Sequence, residues 1–349
     1  DSGTIPVAIW LNAPLPDEIV NRSNEFKESV GEGWSLDEVR EWRQEVFEDK
    51  SAWYADVEEE VVQFLNTNGF WDEDRSYACL AAPVLYTDLP VDPSERRIFE
   101  ELRRLNVVDT IYLAGVFEPK LDSAVPTIEA PSVWSRKDSS GNNLRGTNVR
   151  IAIVESGRID FTLAPFASSK RNHITRDSAL SSDTHKTAVA EVAASSHAKY
   201  TGFAPDAILL SADSKDHTEK ELAAAIDWAL KKGADVLNAS IGEPISAGKP
   251  HSWSRLLDFI VIEHMRAFTT PAGNEGKGAF VCAPASGYNV IAVGGIDDKG
   301  TLSWADDTMY DIAANDGSNS KNPISPNNDR EKPDVCAVAV GIKTAAYGY

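Results

Sequence analysis

Nowhere in the 349 residues does an unbroken apolar run reach the roughly 18 residues that mark a membrane-spanning helix, so no bilayer-embedded role is expected. Cysteine is scarce. Cys79, Cys282 and Cys336 are too few and too scattered for a disulfide scaffold, and no Cys-x-x-Cys pair suggests a structural zinc. One disulfide and buried thiols both remain open readings, and neither fixes the compartment. Basic residues are in deficit, 34 against 54 acidic, for a formal charge of −20. The deficit is uneven: residues 1–125 hold 27 acidic and 11 basic side chains (−16), which leaves 27 and 23 for residues 126–349 (−4). Phosphate backbones are met by basic surfaces, so this balance argues against nucleic acid as a partner. The asymmetry reads either as solvated acidic helix faces or as two units with different jobs. Internal repeats and low-complexity blocks are also missing. What is present, 42% hydrophobic and 25% charged residues, is a globular mixture that excludes disorder of the whole chain. At this length two or three domains fit.

Two rhythms divide the chain. Residues 6–11 have the apolar run of a strand. Ser35-Leu36-Asp37-Glu38 has the spacing of a capping box, in which the serine caps the Glu38 amide and the glutamate reaches back. Behind it Val39, Trp42, Val46, Trp53, Val57, Val61, Phe64 and Leu65 recur at helical spacing, which predicts one long helix or two joined ones ending near Asn68-Gly69. Strands are expected over 79–87 and 107–114, with a helix over 93–105 between them. That plan makes a small α+β sandwich over residues 1–115. The polar, proline-containing stretch 116–127 reads as a linker. From Arg150 the alternation is strict, with strands at 150–156, 207–212, 235–240, 268–272 and 290–294 and helices at 187–196, 218–232 and 253–266. Thr218-Glu219-Lys220-Glu221 is a second capping box and Gly233 a stop signal. Near-continuous apolar strands alternating with helices predict an α/β fold: a parallel sheet covered on both faces, with its site at the carboxyl ends of the strands.

That rule singles out Glu155, which closes the strand 150–156, His185, which opens a helix, and Asn274, which follows the strand 268–272. A carboxylate, a histidine and an amide at neighbouring strand ends can form an orienting group, a base and an oxyanion donor. A capping role for the histidine is open on the same grounds.

The surrounding motifs are more specific. Ala130-Pro131-Ser132-Val133-Trp134 precedes a strand motif that runs from Gly146 through Val149 and Glu155 to Gly157. Next come His185-Lys186-Thr187-Ala188-Val189-Ala190, Gly202-Phe203-Ala204-Pro205, Val236-Leu237-Asn238-Ala239-Ser240-Ile241-Gly242 and Pro271-Ala272-Gly273-Asn274-Glu275-Gly276. Asn289–Gly294 and Lys332-Pro333-Asp334-Val335 complete the series. In this order, over roughly 128–335, the set resembles the subtilisin-like serine peptidases, the subtilase family.

The resemblance implies a subtilisin-like parallel sheet flanked by helices over 128–349, with 1–115 as an α+β prodomain. It implies an endopeptidase working by acyl transfer on a protein or peptide substrate. His185 is then the base, Glu155 stands where the family has aspartate, Asn274 donates to the oxyanion, and Ser240 and Gly242 offer backbone to an extended substrate. No metal ligand can be named, although calcium is common in the family. Secretion is the family-level expectation.

Three departures matter. Glu155 is one methylene longer than aspartate. Lys186, Ala188 and Glu191 replace glycine, histidine and glycine, and Lys186 and Glu191 are expected to alter the neighbouring surface or a substrate subsite. No Gly-Thr-Ser occurs, so the nucleophilic serine is expected beyond Tyr349, in a C-terminal fragment that completes the catalytic domain. The rival reading is a catalytically inactive subtilase-like scaffold. A carboxylate metalloenzyme lacks a clustered ligand set in the sequence.

Overall fold

The computed structural model describes residues 4–29, 34–90, 97–114, 118–119, 130–167, 172–198, 200–245, 251–299, 305–313, 316–325, 330–340, 342 and 344–347. Two sheets organise them. The first has four strands: β1 (Thr4–Leu11), β2 (Tyr77–Ala78), β3 (Val84–Pro90) and β4 (Val108–Leu113), in the order β2-β3-β1-β4 and antiparallel throughout. Side chains alternate across β1. Val7, Ile9 and Leu11 join Val61, Leu65, Ile98 and Leu102 in one core, while Ala8 and Trp10 face the opposite way.

Helix α1 (Asp17–Ser29) is not announced by the apolar spacing. Helix α2 (Leu36–Thr67) is a single 32-residue rod, and its capping box closes as expected: the Glu38 amide donates to Ser35 Oγ at 3.2 Å and the Ser35 amide to Glu38 Oε2 at 2.7 Å. Helix α3 (Arg97–Leu102) covers part of the expected 93–105 helix, and residues 91–96 lie outside the described residues. The strand expected over 79–87 starts only at Val84, because residues 79–83 turn between β2 and β3. The stretch read as a linker contains a strand of its own, β5 (Glu118–Pro119).

A short helix, α4 (Ala130–Trp134), leads into the second sheet. Its strands are β6 (Arg150–Ser156), β7 (Ile174–Thr175), β8 (Ile208–Ser214), β9 (Val236–Asn238), β11 (Ala267–Pro271), β12 (Ile291–Asp297), β13 (Thr308–Met309) and β16 (Val335–Val338). The order is β13-β12-β11-β9-β6-β8-β7, with β16 also on β12, and every pairing is parallel except that of β13. Outside it, β10 (Ile241–Gly242) pairs antiparallel with β5, and β14 (Asp311–Ala313) pairs with β15 (Asp316–Gly317). Helix α5 (Ala164–Ala167) is a single turn.

Helix α6 (Thr184–Ala194) covers one face, where Ala190 and Ala194 pack on Ile153 and Leu209. Helices α7 (Glu219–Lys231) and α8 (Ser252–Glu263) cover the other, packing Leu222, Ile226 and Leu256 against Ala152, Val154 and Leu210. Two expectations change here. Thr218 caps the Glu221 amide at 3.4 Å, but its own amide goes to Asp216 Oδ1 at 2.9 Å, so only half of the second capping box forms. All three cysteines are free, and Cys336 is exposed rather than buried.

The antiparallel sheet lies on α7 and α8. Trp10, Phe47 and Tyr86 enter the same core as Leu222, Ile226, Trp253 and Leu256. Asp227 of α7 accepts the amides of Leu80 at 2.9 Å and Ala81 at 3.0 Å, and the Tyr77 hydroxyl. Lys50 donates to the Glu263 carboxylate at 2.8 Å and carbonyl at 2.7 Å. Burial pushes the His264 imidazole down to about 3, so the ring is neutral and its Nε2–H donates to the Ala81 carbonyl at 2.7 Å.

Candidate active site

Glu155 is the penultimate residue of β6 and its side chain is buried at the carboxyl end of the sheet. His185 is the second residue of α6. The two meet: His185 Nδ1 lies 2.8 Å from Glu155 Oε2. A carboxylate accepts, so Nδ1 carries the proton and Nε2 is left to act as a base. The other oxygen, Glu155 Oε1, accepts the Ser240 amide at 3.3 Å. Asp183 starts the helix, its Oδ1 capping the Lys186 amide at 2.7 Å. Gly157, at φ +68°, lets the chain leave β6 tightly; a Cβ there would come within 2.8 Å of Asp183 Cβ.

Lys186 does not alter the surface. Its side chain is fully buried and its Nζ donates to Asp213 Oδ1 at 2.8 Å, the Gly157 carbonyl at 3.0 Å and the Glu155 carbonyl at 3.1 Å. Burial pulls the Lys186 ammonium down and the Asp213 carboxylate pushes it back up. Asp213 is itself fully buried, accepting the Asp177 amide at 2.9 Å on Oδ2 and the Ser211 hydroxyl on Oδ1. Glu191 also turns inward. Its carboxylate accepts the amides of Ala345 at 2.6 Å and Ala346 at 3.0 Å, holding the 3₁₀ turn Ala345–Tyr347 against α6. The expectation that both would alter the neighbouring surface or a substrate subsite follows from the usual exposure of lysine and glutamate; here both side chains are buried.

Asn274 sits in the loop after β11. It is exposed, and among the described residues its side-chain amide takes no hydrogen bond. Its loop, by contrast, is fixed by Asn319, a residue with no signal in the sequence. The Asn319 amide donates to Glu275 Oε2 at 2.6 Å and the Phe280 carbonyl at 2.9 Å, and its oxygen accepts the Glu275 amide at 2.8 Å. Gly273, at φ +117°, makes room, since any Cβ there would strike the Asn319 side chain.

Ser240 and Gly242 occupy different roles. The Ser240 amide holds Glu155, whereas Gly242 is paired with Glu118 and Ile241 with Pro119 in the antiparallel β10–β5 ladder. His185, Ser240 and Asn274 all border one cavity of about 780 Å³. It runs between α6 (Ala188, Val189, Val192) and the sheet (Ile151, Ile153, Val236, Val293, Val338) and is mostly apolar. His217, at the carboxyl end of β8, lies near enough to feel Glu155 and His185; burial lowers its imidazole.

Glu155, Asp183 and His185 form the one group of three potential metal ligands found among the described residues, a cluster the sequence did not reveal. It does not suit calcium, which takes six to eight oxygens. Moreover, Glu155 is engaged with His185 and Asp183 with the helix start.

The sequence model of the subtilase family matches residues 136–347, a span that contains Glu155, His185, Ser240, Gly242 and Asn274. The chain belongs to the subtilase family. Among relatives, this subtilase is similar to serine protease AprX of Bacillus subtilis (strain 168), with 24% identity over 261 residues, 66% of this chain and 54% of that protein. Minor extracellular protease Epr of the same organism is 28% identical over 173 residues, 46% of this chain and 25% of that one. The chain thus spans about half or less of the length of these two. Among solved structures, the prenylagaramide maturation protease PagA shares 25% identity at a TM-score of 0.42, covering 57% of this chain and 65% of that chain. The subtilase α/β fold expected from the sequence is the one observed. Among the described residues no helix is long and apolar enough to cross a membrane.

Proposed function

We propose that this subtilase is an endopeptidase that cleaves protein or peptide substrates by acyl transfer, with a Glu-His-Ser triad. The observation that carries the reading is the 2.8 Å contact between His185 Nδ1 and the buried Glu155 carboxylate, at the mouth of a cavity that Asn274 also borders. Glu155 holds the imidazole in the tautomer that leaves Nε2 basic and stabilises the cation that forms. Nε2 takes the proton of an attacking serine and returns it to the leaving amine. The free amide of Asn274 donates to the oxyanion of the tetrahedral intermediate. The serine lies beyond Tyr349, on a helix that fills the apolar cavity beside α6. The volume of about 780 Å³ and the apolar lining of that cavity support an occupant that packs against α6 near His185.

In this reading residues 1–115 are a prodomain, 116–127 its connection and 128–349 the catalytic domain completed by the serine segment. Glu118–Pro119, within that connection, lies antiparallel along Ile241–Gly242 as a substrate strand would, since strand addition is how an extended peptide is held for cleavage. The protein works outside the cytoplasm, a reading supported by the relative named as an extracellular protease.

The test is intact-mass analysis of the full-length protein after a fluorophosphonate serine probe. One adduct on the fragment beyond residue 349 is expected. Absence of any adduct sinks the peptidase and leaves an inactive subtilase-like scaffold. Glu155→Gln should lower kcat by about 10⁴-fold with an unchanged circular dichroism spectrum.

A further inference from the structure

We propose that Lys186 and Asp213 are positioning residues of the hydrolytic site, whose buried ion pair sets the β6 backbone so that a glutamate, rather than a shorter aspartate, meets His185. The inference rests on the peptidase reading above and adds to it the reason two departures from the family pattern occur together.

The geometry is a closed loop. In the parallel pairing of β6 with β8, Glu155 is in register with Asp213. Register partners in a sheet point to the same face, so the two carboxylates stand side by side on the α6 face. Lys186 answers both strands at once, with its carboxylate bond to Asp213 and its two carbonyl bonds to Glu155 and Gly157. Three acceptors use all three protons of the ammonium, which leaves it none for chemistry.

Consecutive residues of one helix turn therefore hold the same residue of β6. His185 takes the Glu155 side chain, and Lys186 takes the Glu155 carbonyl. With the backbone of residue 155 tied and the ring of residue 185 tied, the length of the side chain between them is fixed. Asp213 anchors the far end. It is gripped by Ser211 and the Asp177 amide, and its own carbonyl accepts from Arg176. Neither Lys186 nor Asp213 is exposed to water that could substitute for a lost partner. Glycine at position 186 could supply none of this.

The experiment uses the full-length protein and the double variant Lys186→Met/Asp213→Asn. Both charges leave together, so no buried charge is stranded, and the asparagine oxygen can still accept the Asp177 amide while its NH2 donates to the Ser211 hydroxyl. Two quantities are read on the folded variant: peptide turnover, and the NMR titration of the His185 Cε1 proton. The expected result is a kcat lower by about 10²-fold with KM within about twofold, since a displacement of about 1 Å at a reacting group has that effect. The His185 titration should also move to lower pH as the Glu155 carboxylate withdraws. The opposite charges of the pair go together, so their direct fields on the ring nearly cancel. An unchanged kcat overturns the proposal. So does a fall in kcat with an unmoved titration, which would mark general loosening. The titration needs no turnover, so a parent protein that cleaves nothing would sink the peptidase reading while the clamp was still judged on its own.

Discussion

Two clusters of buried carboxylates flank the same parallel sheet, one on each face, and they are kept in opposite ways. On the α6 face, Glu155 and Asp213 are surrounded by donors and share a buried lysine. On the other face, where the antiparallel sheet docks, Glu58 of α2 lies near enough to Asp227 of α7 to feel its charge. Asp227 is held by hydroxyl and amide donors, and among the described residues Glu58 Oε1 has no hydrogen-bond partner. Burial, aided by Asp227, pushes Glu58 up to about 9, so this acid is held by its own proton rather than by a cation. On the α6 face the carboxylates are met by donors and a lysine; at the docking face the Lys50–Glu263 ion pair is kept while Glu58 is discharged.

The contrast can be broken first on the charged side. Lys186→Met alone strands the Asp213 carboxylate, and unfolding in urea should show a loss of about 3–5 kcal/mol. The double variant described above should lose much less, and equal losses would mean that the pair is not a unit. Next in size, in the proposed peptidase reading, is Asn274→Ala, which should lower kcat by about 10²–10³-fold with little change in KM, as loss of one oxyanion donor does.

The discharged side gives a smaller, pH-dependent effect. Glu58 binds its proton more tightly folded than unfolded. Its contribution to stability is therefore whole below about pH 4.5 and is lost as pH rises towards about 9. Glu58→Gln should flatten that decline, and by pH 8 it should be the more stable form by more than about 1.4 kcal/mol, the worth of one pKa unit. Parallel melting curves for the two proteins from pH 5 to pH 9 would contradict it. Smallest is Ser35→Ala, which opens the capping box of α2 and should lower stability by about 1 kcal/mol without touching turnover.

The parallel sheet was legible because its strands are long apolar runs, and Ser35–Glu38 because a capping box is local. Glu155, His185 and Asn274 were legible as strand-end and helix-start residues within motifs. The rest depends on partners distant in the chain. Lys186 reads as a surface lysine until Asp213, 27 residues on, is seen beneath it. Strand β5 is two residues long and includes a proline, and only Ile241–Gly242 makes it a strand. The late start of β3 follows from the turn at 79–83, whose amides are taken by Asp227 some 146 residues away. Cys336 sits on β16 with its side chain outward, which no spacing could announce.

The Glu191 contact has a mechanical meaning. Glu191 lies six residues after His185 on α6, about 9 Å along the axis. Through it, Ala345 and Ala346 hang from the same rigid rod that carries the imidazole. When that rod rocks, the His185 imidazole and the turn Ala345–Tyr347 are displaced together, so the motion is common to both and their separation is preserved.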